Sequence, residues 1–307
     1  MSLRIVLGAG PVGSAVALLL AERGDRVRLV TRSGSGPDHP LIERITTDAT
    51  DVPALEKQTA GATALYQCAQ PPYSRWSTQF PPLVRSAIEV AERTGALLAS
   101  VGNLYGYGEF DGPVRETHPQ RPNSTKGRLR AQLWTEASTA HEAGRIRAVE
   151  VRGSDYLGAG ANSVAIAMVL NPVRNGKLAL VPGDPDAPHS WTVTGDVAKT
   201  LVAAADDETA WGAVWHVPSA PPLSLRALAD LTAAVAAAPS ARVRRMPYPL
   251  LWAAGLLDSD ARELCELRYQ FERPFVLDSS AATVKFGITP TLTEVAVRAT
   301  LAALPTR

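Results

Sequence analysis

The chain has 307 residues, 46% of them hydrophobic, and its 31 Lys and Arg against 30 Asp and Glu leave a net charge of +1. That length builds one large core or two modest ones, and the charge balance excludes the strong field that drives non-specific binding to nucleic acid or membrane surfaces. Two cysteines, Cys68 and Cys265, and five scattered histidines form no cluster at ligand spacing, which argues against a metal site or a disulfide framework and fits a cytoplasmic setting with a small-molecule partner.

In chain order, LRIVLG (3–8) is a short apolar run ending at glycine, and PVGSAVALLLAERG (11–24) is a helical stretch closed by Gly24. Its apolar core, AVALLLA (15–21), is too short to span a membrane, and a soluble protein is expected. RVRLVT (26–31), ERITTD (43–48) and ATALYQCA (62–69) read as strands, and PPLVRSAIEVAERTG (81–95) as a helix. ALLASVG (96–102), a helix around RLRAQLWTEASTAHEAG (128–144) and IRAVEVRG (146–153) continue the rhythm. Strands alternating with helices need crossovers, so the expected fold is α/β, a doubly wound parallel Rossmann sheet covered on both faces. Beyond Gly158 the rhythm loosens at the proline-rich turns GDPDAPHS (183–190) and VPSAPPLS (217–224). The expected division is a dinucleotide-binding domain over 1–157, with 188–218 returning to it. A smaller, discontinuous substrate lobe takes 158–187 and 219–307, with helices in LSLRALADLTAAVAAAP and TLTEVAVRATLAAL.

Between the first strand and first helix lies G-A-G-P-V-G, a G-x-G-x-x-G pattern. In this setting Gly8 permits the tight turn, Gly10 lets a pyrophosphate approach the backbone, and Gly13 lets helix and strand pack closely, while Pro11 and Val12 open the helix whose N-terminus faces the phosphates. The plain alternative is a β-to-α turn with three convenient glycines. The second strand ends Thr31-Arg32-Ser33, with no carboxylate to repel a 2′-phosphate and a guanidinium and two hydroxyls to bind one, so NADP(H) is expected over NAD(H). A solvated arginine at the edge of a Gly/Ser loop is the alternative. Asp48 is placed to accept from an adenine amino group, or else belongs to a polar turn with Ala49 beside it.

The glycine turn, the Asp48 position, QCAQPP (67–72), ASVGNLYGYG (99–108), RGSDYLGAG (152–160) and HSWTVTGDVA (189–198) together resemble the extended short-chain dehydrogenase/reductase superfamily, the group of NAD-dependent epimerases and dehydratases, over essentially the whole chain. The resemblance implies a cofactor in the N-terminal half, with Ala49 and Ala69 among its contacts, and a substrate, often a nucleotide sugar, under the smaller lobe. It also implies a Tyr-x-x-x-Lys pair on the helix after strand five and a Ser or Thr near that strand's end. Here that pair falls on Lys126 and Arg130, and the serine position falls near Val101, with Ser100 and Asn103 alongside.

Arg130 keeps a charge and several donors, and is expected to hold the nicotinamide ribose or a phosphate. Lys126 is expected to shuttle protons if burial and Arg130 weaken its hold on the proton. Tyr105 and Asn103, in the turn after strand five, complete the candidate catalytic set, with Tyr73 as a further donor; each fits a purely structural role as well. Arg128 reads as a solvated cation, and Trp76, Trp191 and Tyr156 as packing. No histidine is assigned to catalysis, His189 in the turn GDPDAPHSW being the nearest candidate. Two functions follow: an atypical NADP(H)-dependent reductase or epimerase acting on a carbonyl-like or nucleotide-sugar substrate, or a non-catalytic NADP-binding redox sensor or scaffold. Helices over 81–95 and 126–143 suggest a homodimer.

Overall fold

In the computed structural model of the chain, which describes residues 1–249, 252, 256, 262 and 265–305, the alternating segments become one seven-stranded parallel sheet. Its strands are β1 (Leu3–Leu7), β2 (Arg26–Thr31), β3 (Ile42–Thr46), β4 (Ala64–Gln67), β5 (Leu97–Asn103), β6 (Ala148–Gly153) and, from late in the chain, β10 (Val214–His216). Their order is β10-β6-β5-β4-β1-β2-β3. Chain direction across the sheet reverses at β1, whose neighbours are β2 and β4, and the crevice beyond the carboxyl ends at such a switch point is where open α/β sheets bind ligands.

Successive residues of β1 point to opposite faces and fill two cores. Val6 packs with α1 (Pro11–Glu22) and α6 (Thr194–Asp206) through Val16, Leu20, Val197 and Leu201. Ile5 and Leu7 pack on the other face with α2 (Val52–Thr59), α3 (Trp76–Thr94) and α4 (Thr125–Glu142) through Leu55, Val90 and Trp134. These strands are apolar on both sides because both sides are covered.

Helix α3 begins at Trp76, five residues ahead of the start expected from its proline pair, with Pro81 and Pro82 inside it. The indole of Trp76 donates to the Pro71 carbonyl at 2.9 Å, and Trp76 and Phe80 are both buried. Tertiary packing of these aromatics carries the helix back across prolines that lack the N–H for a helical bond.

A further buried cluster joins Leu157, Val169, Leu170, Trp191, Leu225, Leu228, Phe271 and Val297. Its elements are β7 (Asp155–Leu157), which continues β6 and pairs with β9 (Trp191–Val193). A π-helical turn over Ile166–Leu170 runs into α5 (Asn171–Arg174), and β8 (Ala179–Val181) pairs with β11 (Val243–Arg245). Helix α7 (Leu225–Val235) and a helix over Thr293–Ala303 cover it. A fourth cluster ties the lobes together, setting Trp76, Phe80, Tyr105 and Tyr107 against Leu267, Tyr269, Phe275 and Leu277.

Candidate active site

At the end of β1, Gly8 has φ +89°, and a Cβ there would lie 2.7 Å from the Cα of Ala69. Only glycine fits both the backbone and the space. A Cβ on Gly13 would fall on the Gly8 carbonyl oxygen, so helix and turn touch backbone to backbone. Gly10 is different, since a Cβ there meets nothing within 4 Å. It is the N-cap of α1, with Pro11 next and no side chain capping the helix. The first-turn amides, including those of Val12 and Gly13, thus face an open approach at the positive end of a helix, the donor set a dinucleotide pyrophosphate requires.

Arg32 and Ser33 are exposed at the end of β2. The Thr31 hydroxyl donates to the Ser35 carbonyl at 3.4 Å and Ser33 to Ser35 Oγ at 2.9 Å, which folds the loop back beside the arginine. Asp48 Oδ1 accepts from both the backbone and the hydroxyl of Thr50, each at 2.9 Å. Those bonds, and then the nearby Arg32 charge, hold its carboxyl below the usual carboxylate range. Ala49 lies against α3, its carbonyl accepting from Ser86 Oγ at 2.5 Å. Ala69 sits beneath Gly8 and accepts from Gln67 Nε2 at 2.9 Å.

Helix α4 carries no tyrosine. Ser124 caps it, accepting from the Gly127 amide at 3.0 Å, and Lys126 and Arg130 follow one turn apart on its sheet-facing side. Lys126, 5% exposed, pairs with Glu266 of the second lobe, not with the Arg130 field that spacing suggested. Its Nζ lies 3.0 Å from Oε2 and its backbone amide donates to Oε1 at 3.1 Å. Burial alone would raise the Glu266 carboxyl, but the Lys126 bonds outweigh it and hold that group low. The Lys126 ammonium also stands 5.6 Å from the ring centre of Tyr73.

Arg130 is pinned from several directions. Its guanidinium lies 4.7 Å from the Trp76 ring and 4.6 Å from the Phe80 ring. It donates to the Val101 carbonyl at 2.9 Å and to Gln70 Oε1 at 2.7 Å, and its Nε is buried without a partner. Burial lowers its affinity for the proton, against the opposing charge of Glu150. Arg128, by contrast, is exposed and donates only to Thr125 Oγ1, at 3.1 Å.

The hydroxyls of Tyr73 and Tyr105 lie 2.9 Å apart, one donating to the other. Burial raises the Tyr105 phenol well above its ordinary value, with Tyr73 and Asp155 adding to the effect, so Tyr105 is a neutral phenol. Asn103 Oδ1 accepts from the Tyr105 amide at 3.1 Å, capping the turn over Leu104–Tyr107 and fixing where that phenol points. Ser100 reaches across to the Val149 carbonyl at 3.4 Å. Tyr156 is half-buried, with its hydroxyl 3.5 Å from the Gly102 carbonyl.

Glu266, Gln70, and the pair of Asp155 with His189 were not singled out from sequence. Their partners lie tens of residues away, so no spacing marks them. His189 is buried and meets Asp155 Oδ2 at 2.8 Å and Ser154 Oγ at 3.5 Å, both through Nε2, so these residues form no nucleophile-base-carboxylate relay. Among the described residues no group of three His, Cys, Asp or Glu could hold a metal ion, and no helix is long and apolar enough to cross a membrane.

Comparison with known proteins places this geometry. A family model described as the NAD dependent epimerase/dehydratase family matches residues 5–215. A search of curated proteins finds no match in sequence. Among solved structures, the Bordetella bronchiseptica enzyme WbmH in complex with NAD+ is 20% identical with a TM-score of 0.76, the match covering 99% of this chain and 98% of that one. The Bacillus cereus UDP-glucuronic acid 4-epimerase in complex with NAD is 16% identical with a TM-score of 0.77, covering 98% of each chain. The Methanobrevibacter ruminantium UDP-N-acetylglucosamine 4-epimerase is 16% identical with a TM-score of 0.79, covering 98% of this chain and 97% of that one.

Proposed function

Because the chain belongs to the NAD dependent epimerase/dehydratase family, we propose that it is a nicotinamide-dependent oxidoreductase or epimerase that uses NADP(H) and acts on a small-molecule carbonyl-like or nucleotide-sugar substrate without a Tyr-x-x-x-Lys pair. The observation that carries this reading is the glycine turn, in which Gly8 and Gly13 are closed against protein while Gly10 stands open at an uncapped helix N-terminus. Neighbouring structures hold NAD in their complexes, which supports a dinucleotide here. NADP(H) is favoured by Arg32 at the end of β2 and by the absence of a carboxylate in Thr31-Arg32-Ser33.

A bound nicotinamide supplies hydride transfer at its C4 position. This chain's residues then bind and move protons around it. Arg130, set beside the Trp76 and Phe80 rings, retains N–H groups beyond its bonds to Val101 and Gln70 for a ribose hydroxyl. The Tyr105 phenol, kept neutral by burial and bonded to Tyr73, is a proton donor with a second hydroxyl behind it, and Asn103 orients it. Lys126 sets its ammonium 5.6 Å from the Tyr73 ring centre, an electrostatic contact alongside the proton shuttle its position first suggests.

The test is turnover, read as loss of reduced-nicotinamide absorbance with a panel of carbonyl compounds and as chromatographic formation of the epimer, without net cofactor consumption, with nucleotide sugars. Lys126→Ala is expected to lower turnover while leaving NADPH affinity near wild type, and Arg130→Ala to weaken both. Equal turnover in wild type and Lys126→Ala removes Lys126 from the chemistry. Dinucleotide binding with no turnover on any substrate favours the redox-sensor reading.

A further inference from the structure

The candidate site borders a pair of buried ionisable groups that hydride transfer does not require. Asp155 opens β7, directly past the carboxyl end of β6, and His189 reaches it from the turn before β9. The His189 ring is enclosed by Phe271, nearly parallel at 5.0 Å, by Phe275 at 5.3 Å and by Trp191 at 4.4 Å, and is 2% exposed.

His189 Nδ1 lies 3.2 Å from the Gln270 carbonyl oxygen, and Nε2 lies 2.8 Å from Asp155 Oδ2. Oδ2 is thereby committed to His189. Among the described residues no donor meets Oδ1, and 13% of the Asp155 side chain remains exposed.

The groups around Asp155 are Ser154 and three phenols. Tyr105, Tyr156 and Tyr269 are all raised by burial and further by the Asp155 charge, and the Tyr269 hydroxyl is buried without a partner among the described residues. The two cations of the adjoining site are committed elsewhere, Lys126 to Glu266 and Arg130 to Val101 and Gln70. Asp155 Oδ1 is therefore an acceptor set among neutral hydroxyls.

Resting on the function proposed above, we propose that Asp155, backed by His189, sets the substrate class: it accepts a hydrogen bond from a hydroxyl or ammonium group of a polyhydroxylated or amino-bearing carbonyl compound and turns away a nucleoside diphosphate. Phosphate oxygens, like carboxylate oxygens, only accept, so a diphosphate against Oδ1 meets repulsion where a hydroxyl or ammonium meets a partner.

Calorimetric titration with UDP as the diphosphate probe tests this on the NADPH-saturated chain, comparing wild type with Asp155→Asn, whose amide can donate. The variant is expected to bind UDP about tenfold tighter or more, the worth of one charge-assisted hydrogen bond gained. No difference between the two proteins, whether both bind UDP or neither does, overturns the proposal, as does tighter binding by wild type. Nitrogen-15 NMR of labelled histidine in wild type supplies a readout that needs no variant. It should show a hydrogen bond between His189 Nε2 and a carboxylate oxygen, and its absence overturns the assignment of Asp155 as the acceptor. Failure of NADPH to bind either protein counts against the proposed function instead, and the same UDP comparison is then read on the cofactor-free chain.

Discussion

Gly10→Ala separates a glycine kept for the fold from one kept for a ligand. Gly10 has φ −67° and ψ 179°, conformational space open to alanine, and the added methyl meets no protein atom within 4 Å. Alanine is a poorer N-cap than glycine, at a cost of several tenths of a kcal/mol, while its stiffer unfolded chain returns about 0.4–1 kcal/mol. These offset, so the melting temperature should move by no more than about 2 °C. The methyl projects into the approach to the α1 amides, however, and loss of one hydrogen bond to a charged phosphate costs about 1.5–3 kcal/mol. NADPH affinity should accordingly fall about 10- to 150-fold. Gly13→Ala is the contrasting control, because its methyl falls on the Gly8 carbonyl and should cost about 1–3 kcal/mol of stability or more. Thermal denaturation and calorimetric titration on all three proteins decide the matter. An unchanged NADPH affinity in Gly10→Ala, or a loss of stability equal to that of Gly13→Ala, would refute the reasoning.

Three further predictions concern buried polar groups paired across the sequence. His216 is fully buried; its Nδ1–H donates to the Asp278 carbonyl at 2.9 Å, so Nε2 accepts from the Tyr107 hydroxyl at 2.9 Å. Tyr107→Phe leaves that nitrogen unsatisfied at a cost of about 1–3 kcal/mol, seen as a melting temperature several degrees lower and absent if the pair is incidental. Burial lowers the affinity of His216 for a proton, so its contribution to stability is present above the unfolded value near 6.5 and is lost as the pH falls from there through the lower folded value; denaturant titrations at and below pH 6.5 should show the decline. Glu266, held below its ordinary value near 4.5 by Lys126 despite its burial, contributes stability that is present above that value and lost as the pH falls beneath it. Glu266→Gln should be less stable than wild type at neutral pH and should lose less on acidification, whereas parallel pH profiles would remove the ion pair from the account.

What the sequence makes legible here is whatever depends on neighbours in the chain. The glycine turn, the alternating strands and the sheet they build are local patterns, as is Ser124 at the start of α4. The start of α3 is not, because Pro81 and Pro82 are strong local signals and the burial of Trp76 and Phe80 that overrides them is a tertiary fact. The same holds within the site. Helical spacing brings Lys126 and Arg130 onto one face, but Glu266 reaches Lys126 from 140 residues away. His189 stood out only by its place in a proline-rich turn, and nothing in sequence pairs it with Asp155, 34 residues earlier. Tyr73 and Tyr105 are separate candidate donors in the sequence, and their mutual bond follows from β4 and β5 being adjacent.

The central claim is that the glycine turn and the end of β2 together hold a nicotinamide dinucleotide and read its 2′-phosphate. Calorimetric titration of the full chain with NADPH and NADH, beside an Arg32→Ala variant, tests it most directly. The account predicts that wild type binds NADPH more tightly than NADH and that Arg32→Ala loses this preference while still binding the dinucleotide. Binding of neither nucleotide would reduce the glycine turn to a structural feature, and a wild-type preference for NADH would contradict the role given to Arg32.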